Sequence, residues 1–117
     1  MKILSKLGLG PMSTEIIDIV SDFAKFNKTN IMFIATRNQI DSKKFGGGYV
    51  NNFSTEEYST YIKKKKNNYI HLCRDHSGPL LKDNEKKISF KESLEKTKES
   101  LKDDILNDFK LLHIDTS

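Results

Sequence analysis

Cysteine is almost missing from this 117-residue sequence, where Cys73 stands alone. A single thiol closes no internal disulfide, so the framework of a small secreted domain is excluded and a reducing, cytoplasmic setting is expected. Long hydrophobic runs are missing too. No apolar stretch approaches the roughly 18–20 residues of a membrane span. The opening segment Met1-Lys2-Ile3-Leu4-Ser5-Lys6-Leu7-Gly8 has neither a long apolar core nor a small-residue cleavage site, so it does not read as a secretory signal. Internal repeats and low-complexity linkers are absent. So are paired Cys/His fingers and glycine-aromatic RNA motifs, which argues against nucleic acid as a partner.

What is present describes one soluble globular domain. The length suffices for a single core. Apolar residues make up 36% and charged residues 31%, and the net charge of +4 is a mild excess because acids are interspersed among the lysines. The one dense basic run, Lys63-Lys64-Lys65-Lys66, suits the negative pole of a helix.

Two patterns alternate along the chain. Ile3 to Leu9 is a short apolar-rich stretch closed by Gly10-Pro11. Ser13 then reads as an N-cap, and Ile16, Ile17, Ile19, Val20, Phe23 and Phe26 recur at helical spacing until Asn27 to Asn30. Ile31-Met32-Phe33-Ile34-Ala35-Thr36 is a continuous apolar run of strand length, as parallel strands covered by helices show. A polar loop from Arg37 to Phe53 carries Gly46-Gly47-Gly48. Ser54-Thr55-Glu56-Glu57 is a capping box opening a helix through Tyr58, Tyr61 and Ile62. Tyr69 to Cys73 predicts a third strand, with Arg74-Asp75-His76-Ser77-Gly78-Pro79 as its loop. Ser89-Phe90-Lys91-Glu92 is a second capping box, before a stripe of Phe90, Leu94, Thr97, Leu101, Ile105 and Phe109. Lys110 to Asp115 predicts a fourth strand.

The order β-α-β-α-β-α-β predicts an α/β fold of parallel strands over residues 1–117. An open doubly wound sheet and the first half of a (β/α)8 barrel both fit; a complete barrel takes about 250 residues. Either architecture binds ligands at the C-terminal ends of its strands. The polar residues gather there: Asn38, Gln39 and Asp41 after the second strand, Arg74, Asp75 and His76 after the third, Asp115 and Ser117 after the fourth. Such a mouth suits a hydroxylated or phosphorylated small molecule, since an amide such as Asn38 both donates and accepts. An imidazole at His76 can hold a divalent metal and the Asp75 carboxylate can move a proton, but one histidine leaves a zinc site incomplete. His71 and Cys73 share a strand face and read as core rather than ligands, and His113 as a strand histidine. Gly46-Gly47-Gly48 lacks the Lys-Ser/Thr of a P-loop and reads as a flexible loop more readily than a phosphate cradle.

Four ordered segments carry a resemblance: Ala35-Thr36-Arg37-Asn38-Gln39-Ile40-Asp41, Phe45-Gly46-Gly47-Gly48-Tyr49, Asp75-His76-Ser77-Gly78-Pro79 and His113-Ile114-Asp115-Thr116-Ser117. Together they resemble the non-catalytic, accessory subunit family of class II D-tagatose-1,6-bisphosphate aldolase, over its N-terminal half. That resemblance implies half of a TIM (β/α)8 barrel acting in carbohydrate metabolism, with a catalytic aldolase subunit as partner. It also implies Asp75 as a proton-transfer residue and His76 as a zinc ligand in the related metal-dependent aldolases. The family's later strands, which hold further metal ligands and the main phosphate loop, have no counterpart here. Half a barrel exposes two sheet edges and an apolar inner face, so self-association through that face is the other expected partnership. A metal-dependent ketose-bisphosphate aldolase half-site active on assembly, and a small open-sheet α/β binding module, are the alternative readings.

Overall fold

The computed structural model describes residues 5–115. Within them lie β1 (Gly8–Leu9), α1 (Thr14–Asn27), β2 (Ile31–Ala35), α2 (Thr55–Lys63), β3 (Ile70–Ser77), α3 (Phe90–Leu106) and β4 (Leu111–Ile114). The four strands form one parallel sheet in the order β1-β2-β3-β4. The architecture is therefore the α/β half-barrel arrangement, each helix connecting neighbouring strands.

Local chemistry sets the helix starts. Ser13 accepts a hydrogen bond from the Ile16 N–H at 3.1 Å, and α1 ends at Lys28 in the left-handed region, φ 52°. Ser54 and Glu57 form both halves of a capping box, each bond 3.1 Å. At α3, Ser89 accepts from the Glu92 N–H, while the Glu92 carboxylate lies near Lys96 instead of completing a box.

β2 alternates. Ile31, Phe33 and Ala35 are buried and share a core with Ile17 and Ala24 of α1, Tyr58 and Ile62 of α2, Ile70 and Leu72 of β3, and Phe109. Each large aliphatic or aromatic side chain fully removed from water there contributes about 1.5–3 kcal/mol. Met32 and Ile34 point to the other face and are only half-buried, so one face of the sheet is helix-covered and the other open. Among the described residues no helix is long and apolar enough to cross a membrane.

Three expectations are corrected. The first strand is two residues long, with Ile3 and Leu4 outside the described residues. β3 does not stop at Cys73 but runs to Ser77, carrying Arg74, Asp75 and His76 within it. The largest correction concerns the helices. In α1, Ile16, Ile19, Phe23 and Phe26 are exposed, Phe26 at 88%. In α3, Phe90 and Ile105 are exposed too, and the buried residues are Ser93, Thr97, Ser100 and Asp104. α3 turns a polar face inward because charges wait there. Arg37 bonds Glu85 at 2.7 and 2.9 Å and Asp41 at 3.1 Å, Lys82 reaches Asp41 at 2.6 Å, and Arg74 clasps Asp104 at 2.7 and 2.8 Å. Ser100 and Ser93 hydroxyls donate to Asp41 and Glu85. Three cations thus meet three carboxylates, all buried and each satisfied, as burial of charge requires. Burial pushes the Asp104 carboxyl up against the opposing pull of the Arg74 guanidinium.

Candidate functional site at the ends of the third and fourth strands

The register of β3 against β4 sets the geometry. Cys73 faces Leu111 and Arg74 faces Leu112, but Ser77, three residues on, faces Ile114, only two on. The extra residue is accommodated as a bulge, and His76 adopts φ 48°, a left-handed conformation uncommon outside glycine. In a regular strand Asp75 and His76 would point to opposite faces. The bulge instead brings both toward one cluster with His113 of β4, whose potential ligand atoms all lie within 4.8 Å of one another.

Hydrogen bonds order this cluster. Asp75 Oδ1 accepts from the His76 backbone N–H at 2.9 Å and lies 2.9 Å from His113 Nδ1. Asp75 Oδ2 is 3.6 Å from His76 Nε2. Asp115 Oδ2 is 3.1 Å from His76 Nδ1, and the two imidazole rings are 6.0 Å apart. Both imidazoles are more than half exposed and Asp75 about one-third, so the group is open to solutes. Beside it lies a cleft of about 130 Å³ lined by Thr36, Arg37, Asn38, His76, Leu81 and Lys82.

The other residues expected at the mouth divide in two. Asn38 lines the cleft, and its Oδ1 accepts from the Asp83 N–H at 3.1 Å. Gln39 is buried, accepts from the Thr36 N–H at 2.8 Å and reaches Met12 Sδ, so it braces the loop. Asp41 and Arg74 lie instead in the buried ion network on the helix side of the sheet. Arg74 also donates to the Ile40 and Ala35 carbonyls and stacks 5.2 Å from the Phe109 ring. Ser117 lies outside the described residues.

His71 and Cys73 do share a face, yet they join no ligand cluster among the described residues. His71 Nε2 lies 3.0 Å from Asn30 Oδ1, and burial pushes the Cys73 thiol up to about 11. The glycine run is structural. The N–H groups of Gly46, Gly47 and Gly48 donate to the carbonyls of Lys43, Ser42 and Phe53, leaving no cradle of free donors. A Cβ on Gly48 would sit 1.9 Å from the Gln39 carbonyl oxygen, so glycine is needed for close backbone approach. In the lysine run, Lys63 and Lys65 pair with Asp108 and Asp18.

Sequence reasoning missed His113 as a member of the site. The signal was available: His113 and Asp115 alternate at the end of the fourth strand, and a parallel sheet sets that end beside Asp75 and His76. The resemblance implied a metal at His76 with its remaining ligands elsewhere. Here two imidazoles and a carboxylate converge within one chain, a donor set suited to a divalent ion.

No protein-family model matches this sequence, and no curated protein matches it. Among solved structures, the chain is similar to one described as a probable tagatose 6 phosphate kinase from Sinorhizobium meliloti 1021, with a TM-score of 0.78 and 21% identity. The similarity covers 95% of this chain and 28% of that one, so the chain spans little more than a quarter of its structural neighbour.

Proposed function

We propose that this chain is a sugar-phosphate-recognising half-barrel that works as an accessory, non-catalytic component beside a class II aldolase catalytic subunit. The observation that carries the reading is the cleft at the strand ends, where Thr36, Asn38 and His76 present hydroxyl, amide and imidazole groups to one small volume. Such groups complement sugar hydroxyls, and imidazole can meet a phosphate oxygen.

Two further observations support it. The four ordered segments resemble an accessory family named for tagatose bisphosphate, and the structural neighbour is named for tagatose 6-phosphate. The names share a substrate class and differ in reaction. The glycine loop spends its N–H groups internally, which favours the accessory reading over nucleotide-dependent phosphoryl transfer. Exposed apolar residues along α1 (Ile16, Ile19, Phe23, Phe26) and at the other flank (Ile105, Leu106, Leu111, Ile114) give a partner or a second copy apolar surface to cover.

The test is a backbone amide NMR titration with tagatose 1,6-bisphosphate and tagatose 6-phosphate, run beside sedimentation with a class II aldolase catalytic subunit. Saturable shifts centred on Asn38 and His76, with co-sedimentation, support the reading. Unmoved spectra and independent sedimentation overturn it.

A further inference from the structure

We infer that Asp75, His76 and His113 form a self-contained site for a divalent transition ion of the zinc type, with Asp115 as the residue that positions His76. Every group in it belongs to this chain, and the site shares His76 with the cleft to which sugar phosphate is assigned above.

The donor set comes first. Two imidazole nitrogens and one carboxylate oxygen are the three-ligand complement that zinc takes where a fourth position stays open. Tetrahedral coordination with bonds of about 2.1 Å separates ligand atoms by roughly 3.4 Å. Asp75 Oδ2 and His76 Nε2 are already 3.6 Å apart, and the whole group lies within 4.8 Å. Closing the remaining gap asks for side-chain rotation at residues that are exposed or half-buried, with no movement of the core.

The surroundings fit the same role. A metal-bound histidine ordinarily engages a carboxylate or carbonyl through its other ring nitrogen, which fixes ring orientation and tautomer. Asp115 Oδ2 stands 3.1 Å from His76 Nδ1, leaving Nε2 on the side of Asp75. The backbone supplies a further observation. The bulge between Arg74 and Ser77 and the left-handed conformation of His76 bring two consecutive side chains to one point. Such conformations cluster at ligand sites. The cluster also sits at the C-terminal ends of parallel strands, beside the cleft that His76 helps to line.

The full chain, stripped by dialysis against a chelator, is titrated with zinc chloride by calorimetry. Cobalt(II) is added in parallel as an optical probe, since tetrahedral cobalt gives intense visible bands. One equivalent of zinc is expected to bind, with a tetrahedral cobalt spectrum. His113→Ala and His76→Ala should each weaken binding at least tenfold, and Asp115→Asn by about 10–100-fold. His71→Ala, on the same strand but outside the cluster, should bind as the unaltered chain does. Circular dichroism checks that each variant is folded, and should His76→Ala fail to fold, the exposed His113→Ala carries the test. Absent saturable binding, binding indifferent to His113→Ala, or equal loss in His71→Ala would each overturn the assignment.

Discussion

Replacing Asp104 with alanine should be among the most damaging single changes in the molecule. Asp104 is fully buried on the inner face of α3 and accepts two hydrogen bonds from the Arg74 guanidinium, at 2.7 and 2.8 Å. Removing it leaves that guanidinium buried with two carbonyl acceptors and the Phe109 ring, but without its counter-charge. An uncompensated buried charge of this kind costs about 3–5 kcal/mol. A domain of this size has a total stability of about 5–15 kcal/mol, so a large share would go. In urea, with a slope of about 1–3 kcal/mol/M, the midpoint should fall by roughly 2 M. The decisive comparison is the double variant Arg74→Met with Asp104→Leu, which removes both charges and fills the space with apolar side chains. It should recover most of the loss, since apolar replacements of a buried pair are often neutral or better. A single variant within about 1 kcal/mol of the original chain, or a double variant no better than the single, would refute this account of α3. If Asp104→Ala does not fold at all, the double variant still discriminates.

Other outcomes are expected. Gly48→Ala forces a Cβ to within 1.9 Å of the Gln39 carbonyl and should cost at least about 1–3 kcal/mol, read by thermal melting. Phe26→Ser removes a side chain that is 88% exposed, so the melting temperature should hardly move while self-association measured by light scattering declines. Ser54→Ala should cost about 1 kcal/mol by removing the α2 cap. The Ser54 backbone N–H, and after it the Ser54 hydroxyl, hold the Glu57 carboxyl below its ordinary 4.5, so the carboxylate's half of the capping box contributes fully above that pH and fades as the pH falls through the folded value. Carboxyl NMR should show Glu57 titrating below the ordinary glutamate range, and returning only part of the way in Ser54→Ala, which keeps the backbone N–H that bonds the carboxylate.

The alternation of strands and helices could be read from the sequence because its signals are local. Ser13 and Ser54 cap the helices they precede, and Ile31 to Ala35 has the length and side-chain type of a strand. The inner face of α3 could not be read this way. Helical periodicity counts apolar residues and picks out Thr97 alone of the buried four, whereas Ser93, Ser100 and Asp104 are buried by partners outside the helix, Asp41, Arg74 and Glu85 among them. The same charges that looked like a ligand mouth at Asp41 and Arg74 are the ones that dock this helix. Nor could the extension of β3 through Ser77 be anticipated, because the bulge exists only once β4 pairs beside it. His113 was undervalued for a related reason: a lone histidine acquires meaning from the strand end next to it.

The order of the sheet repeats the order of the chain, and this bears on how the molecule comes to be made. As β2 leaves the ribosome its neighbour β1 has already emerged; β3 finds β2 waiting, and β4 finds β3. Among the described residues no strand must hold a gap for one not yet synthesised, so the sheet can grow by accretion from β1 onward. Polypeptide emerges at about 5–20 residues per second, slow beside the closing of each short crossover. The advancing edge is then always the newest strand, and the surface most exposed to mispairing in the nascent chain passes from β2 to β3 to β4 as synthesis proceeds.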